Sequence, residues 1–168
     1  MNSADILKYG HGTILQVVEG LVEPEWDMPG ACGIWSIRQI IAHLTSFEHL
    51  LVEILELLLN GNIPTPTLAK YGRLGLAFND EEVALREELS VADTWAEYEG
   101  TCSQTLELIT HIPLEMQRQK GILSWYGAEY DLDDFLVYTY YGHKREHGAQ
   151  IAAFRDNLEQ QEITDIYA

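Results

Sequence analysis

Only two cysteines, Cys32 and Cys102, occur among 168 residues, and they stand far apart. That excludes a disulfide framework, a CxxC redox pair and a cysteine-based zinc site, so both are read as reduced, buried thiols. Basic residues are also scarce: ten Lys and Arg face 27 Asp and Glu, for a net charge of −17. A chain of that charge repels phosphate backbones and anionic bilayers, and no Lys/Arg cluster offsets it. Nucleic acid and membrane are therefore disfavoured, and neither is expected as a partner. No apolar run approaches the roughly 18 residues of a membrane span, and the start Met1-Asn2-Ser3-Ala4-Asp5 has no basic-then-apolar leader pattern. A cytoplasmic location is expected. Strand alternation, internal repeats and low-complexity tracts are missing too, which leaves an all-α chain.

What is present is 46% hydrophobic residues in a length that suits one domain, taken as 1–168. Helical periodicity marks four long segments. The first runs from after Ser3 to about Glu19, followed by a Pro/Gly-containing loop. The second opens with Ser36 and Gln39 in capping-box spacing, with Trp35 before them as a hydrophobic staple, and stops at Asn60-Gly61. Its apolar face reads Ile37, Ile40, Leu44, Phe47, Leu51, Ile54, Leu55 and Leu58. Residues 61–90 form a long crossover, broken by Pro64, Pro66, Gly72 and Gly75, with a short acidic helix over 80–89. The third helix starts at Ser90, with Asp93 three positions on, and ends at Pro113. After a second connection, in which Trp125, Tyr126 and Tyr130 are packing residues able to wall a pocket at the bundle mouth, the fourth opens after Asp131 and extends to about Glu159. The tail 160–168 is expected to fray. The architecture expected is a four-helix bundle with a long helix 2–3 crossover.

The fourth segment carries the chemistry. At about 100° per residue, Leu136, Tyr140, His143, His147, Ile151, Phe154 and Leu158 share one stripe, so two imidazoles sit in the middle of a buried face. Burying them unpartnered is costly, and a pair at i and i+4 can grip one metal ion. His143-Lys144-Arg145-Glu146-His147 also matches the H-x-x-E-H pattern of a protease family. Glu146 points about 100° away from His147, however, and the chain has no large α/β body, so the match is taken as accidental. Two core histidines satisfied by carbonyls or water are the plain alternative. On the second helix, His43 lies about 60° from the centre of the apolar face, at its inner edge. His11, His49 and His111 read as surface, core or helix-end residues. If helices 2 and 4 run antiparallel, His43 meets His143 and His147 at one end of the bundle. Three imidazoles with open positions are the ligand count of a reactive divalent site rather than a closed structural one.

The run Trp35-Ser36-Ile37-Arg38-Gln39-Ile40-Ile41-Ala42-His43-Leu44, with the distal His143-Lys144-Arg145-Glu146-His147-Gly148-Ala149-Gln150, resembles the DinB/YfiT-like superfamily of metalloenzymes. The resemblance implies a DinB-like bundle of up-down-down-up topology, often a homodimer, with metal ligands at His43, His143 and His147. A frequent acidic position of that family falls on Glu48, without an assignable role. It further implies a thiol-dependent S-transferase or isomerase: a divalent metal, zinc or nickel, would activate a low-molecular-weight thiol against a small-molecule electrophile. Metal-activated water, giving a hydrolase, is one alternative. A non-catalytic, metal-binding dimeric stress-response protein is another. Tyr140 is a candidate hydrogen-bond donor to the reaction, otherwise a packed bundle tyrosine. Gln39 and Gln150, each a turn from a ligand, are candidates to support the imidazoles.

Overall fold

The computed structural model describes residues 2–166, and side chains for residues 2–161. Among them there is no β-strand. The elements are α1 (Ser3–Val18), α2 (Glu23–Asp27), α3 (Ile37–Asn60), α4 (Pro66–Leu74), α5 (Ala77–Ala84), α6 (Val91–His111), α7 (Leu114–Gln117) and α8 (Leu132–Phe135); a π-helical stretch over Leu136–Tyr141 joins α8 to α9 (Gly142–Ile166). The four long segments are those marked by periodicity, and their ends have local causes. Ser36 Oγ accepts from Gln39 N–H while Gln39 Oε1 accepts from Ser36 N–H, so the expected capping box opens α3. Gly61, at a φ of 74°, closes it with its N–H on Leu57 O. Ser90 caps α6 through Asp93 N–H, and Asp131 caps α8 through Asp134 N–H.

The two core clusters establish the topology. One joins Ile6 and Leu7 of α1, Leu51, Ile54 and Leu55 of α3, Ile109 of α6, and Leu132 to Tyr140. The other joins Ile14 and Val18, Ile37 to Leu44, Tyr98 and Cys102, and Ile151. Going from the first cluster to the second, residue numbers rise along α1 and α9 and fall along α3 and α6. The α1 helix and the α8–α9 segment are therefore parallel to each other and antiparallel to α3 and α6, which is the up-down-down-up order of the four long segments. Two successive parallel helices, α3 and α6, need a connection that returns along the bundle, and α4 with α5 supplies it. Helices α1 and α9 approach closely through small residues: a Cβ added at Gly148 would sit 3.0 Å from Thr13 Cγ2.

Some local expectations are corrected. The loop after α1 contains α2, whose Pro24 suits a first turn. The crossover is more helical than its prolines suggest, because Pro66 starts α4 instead of breaking it. The acidic helix expected over 80–89 is shifted to Ala77–Ala84, and Arg86 beyond it is drawn into ion pairs with Glu82 and Glu97. Backbone helix continues through the expected fraying tail as far as Ile166; Tyr167 and Ala168 lie outside the described residues. The short helix α7 and the π turn have no counterpart in the sequence reading.

Candidate metal centre

Between the two apolar clusters lies a polar layer, and His43, His143 and His147 form one side of it. His43 is in the second turn of α3 and nearly sealed by protein; His147 is buried and His143 partly so. Antiparallel packing brings them together as the helix register requires. His43 Nε2 lies 2.9 Å from His143 Nε2, and His147 Nε2 lies 3.0 Å from the same atom. One ligand nitrogen from each lies within 4.8 Å of the others. Two nitrogens bound to one ion at about 2.0–2.1 Å would be roughly 3.0–3.4 Å apart, so the rings stand close to the spacing of a shared cation.

The chemistry of the three rings fits a cation. A neutral imidazole nitrogen offers either one proton or one lone pair, so His143 Nε2 cannot make full hydrogen bonds to both neighbours. Three lone pairs aimed at one point are complementary to a metal ion. Burial, and then the neighbouring imidazoles, push His43 down to about 3. Burial, with His147 and Lys144, pushes His143 down to about 3 as well. Burial also lowers His147, against the opposing hydrogen bond to Gln150. All three are thus held in the neutral form that ligates metal.

The supports differ from ring to ring. His147 Nδ1 is 2.8 Å from Gln150 Oε1, which fixes the proton on Nδ1 and turns the Nε2 lone pair to the centre. Gln150 thus sits where a ligand support is expected. Gln39 does not: its side chain is committed to the cap of α3. His43 Nδ1 is buried without a hydrogen-bond partner, and its ring is held instead between Trp35, at 5.1 Å between centroids, and the edge of Phe47, at 5.0 Å. Among the described residues no Cys, Asp or Glu side chain joins the three imidazoles. Glu146, the acid of the protease-like pattern, is exposed.

In the sequence Glu48 is named without a role and Cys102 reads as a buried thiol, but Lys144 and the ion pair that joins it to Glu48 are missed. Glu48, one of the most deeply buried carboxylates, pairs with the buried Lys144 at 2.8 Å and accepts from Thr105 Oγ1 at 3.0 Å. It thereby ties α3 to α6 and α9, on the side of α3 away from His43. Lys144 follows His143 directly; its Nζ also lies 3.6 Å from Cys102 Sγ and 5.5 Å from the centre of the Tyr98 ring. Burial alone would lower the Lys144 pKa, but Glu48 more than offsets it and the ammonium is stabilised. Burial, with Glu48, pushes the Cys102 thiol up to about 12, so it is no thiolate near neutral pH. His11 Nδ1 approaches Tyr98 Oη at 3.4 Å, His49 pairs with Glu97, and His111 is exposed at the end of α6. Tyr140 is packed in the core against Phe135, and burial raises its pKa well above the ordinary value.

The family model described as DinB superfamily matches residues 7–151, which takes in all three imidazoles. No curated protein and no solved structure matches the chain.

Proposed function

The chain belongs to the DinB superfamily, and from that premise we propose that it is a divalent-metal-dependent enzyme that joins a low-molecular-weight thiol to a small electrophile, or isomerises the electrophile through such an adduct. The observation that carries the reading is the convergence of three neutral imidazoles, two buried and one partly buried, with no fourth protein ligand among the described residues. A structural site closes itself with four protein ligands, whereas a reactive one leaves a position for the reactant. A zinc or nickel ion held there would bind the thiol sulfur and lower its pKa, supplying thiolate near neutral pH.

The residues divide the remaining work. His43, His143 and His147 hold the ion, and Gln150 keeps His147 in the ligating tautomer. Glu48 and Lys144 neutralise each other, so the layer beneath the triad adds no net charge. Cys102 is too basic and too deeply buried to serve as nucleophile, which favours a thiol brought in as a second substrate. Tyr140, three residues before His143 and in the wall of the adjoining cavity, is the candidate to donate a hydrogen bond to the electrophile. A homodimer in the cytoplasm completes the reading.

The test follows both thiol consumption and the loss or isomerisation of the electrophile, using metal-free protein reloaded with one equivalent of zinc or nickel, across a panel of thiols and electrophiles, beside a His43→Ala variant. Metal- and thiol-dependent conjugation or isomerisation that the variant loses supports the proposal. Turnover that is equal with and without thiol would make the protein a hydrolase instead.

A further inference from the structure

An apolar cavity of about 130 Å³ opens beside the triad, between α3, α4, the connection before α8 and the π turn. Its walls include Phe47, Tyr71, Trp125, Tyr126, Phe135 and Tyr140, and no charged side chain lines it. Phe47 is a wall shared with the metal centre. Its ring lies 4.7 Å from that of His143 and 5.0 Å from that of His43, while its other neighbours include Tyr71 at 5.9 Å. The π turn contributes both Thr139 and Tyr140 to the lining. Such π turns recur at functional sites. Trp125 and Tyr71 are 54% and 39% exposed although they line the cavity, so aromatic surface faces solvent at its mouth.

We propose that this cavity receives an uncharged aromatic ring, or an aliphatic group of the same size, belonging to the electrophilic substrate. Its volume sets the size: a dry apolar cavity of about 150 Å³ takes one benzene. Its lining sets the chemistry, because a carboxylate would be desolvated there with no cationic partner, whereas ring edges and faces are matched by the aromatic walls. Thr139 supplies one hydroxyl for a single polar substituent. A group seated there would lie against Phe47, the ring whose other contacts include His43 and His143. The inference rests on the proposed function for the identity of the occupant.

The experiment titrates zinc-loaded protein with fluorobenzene, followed by ¹⁹F NMR, with benzoate as the charged counter-probe. Two variants narrow the cavity without touching the triad: Leu68→Trp from the half-buried α4 wall and Thr139→Phe from the π turn. Fluorobenzene should bind saturably, benzoate should not, and each folded variant should bind fluorobenzene at least tenfold more weakly while keeping its zinc. Absence of saturable binding, equal binding of benzoate, or unchanged affinity in both variants would overturn the inference. Saturable fluorobenzene binding by wild-type protein that fails to retain zinc would leave the cavity standing and remove the metalloenzyme reading.

Discussion

Replacing Lys144 with Met should destabilise the metal-free protein far more than removing an ordinary ion pair. Lys144 and Glu48 are only 3% and 1% exposed, and their charged atoms meet at 2.8 Å. The methionine fills most of the lysine volume but leaves the Glu48 carboxylate in the core with Thr105 Oγ1 as its remaining donor. Breaking a buried pair from one side costs about 3–5 kcal/mol. For a domain of this size each kcal/mol moves the midpoint by about 2–4 °C, so Tm should fall by roughly 6–20 °C. Adding Glu48→Gln removes the orphaned charge and keeps an acceptor for Thr105, so the double variant should recover about half or more of the loss. Denaturant and thermal melts of the metal-free proteins, followed by circular dichroism and arranged as a double-mutant cycle, read this directly. A Lys144→Met cost below about 1 kcal/mol, the range of solvent-exposed pairs, or strictly additive single costs, would refute a buried pair.

Gln150→Ala should lower zinc affinity by about 10–100-fold without unfolding the chain, the usual effect of losing the group that orients a ligating imidazole; competition with a chromophoric chelator measures it, and unchanged affinity would show that Gln150 orients nothing. Below pH 6.5 the unfolded chain protonates His43 and His143, whereas the fold holds both neutral to about 3. Their contribution to metal-free stability should therefore be complete above pH 6.5 and lost progressively from there down to about 3. Denaturant midpoints over that range should fall less steeply in a His43→Ala variant, and an identical slope would contradict the buried neutral state. Ser36→Ala should cost about 1 kcal/mol by opening the cap of α3, measurable as a shifted urea midpoint without a change in slope.

Much of this architecture can be read from side chains that act locally. Ser36 with Gln39, Gly61, Ser90 and Asp131 end or begin helices through bonds to their own neighbours, so their meaning survives without tertiary information. The meeting of His43 with His143 and His147 could be inferred because two helical faces and one antiparallel register suffice to bring them together. The Glu48–Lys144 pair was harder, since long charged side chains are exposed by default. A signal was present all the same: in regular α geometry Lys144 falls within about 20° of Ile151, on the buried stripe. The π turn escaped because a uniform 100° rotation has no place for it. The short helices of the crossover escaped because Pro66 reads equally as a breaker or as a first turn.

The central claim is that His43, His143 and His147 bind one divalent ion together, and elemental analysis of purified protein tests it most directly. Wild-type protein reloaded with zinc and dialysed should retain about one ion per chain, while His43→Ala, His143→Ala and His147→Ala, each shown to be folded, should retain close to none. Equal metal content in the wild type and in His147→Ala would contradict the account.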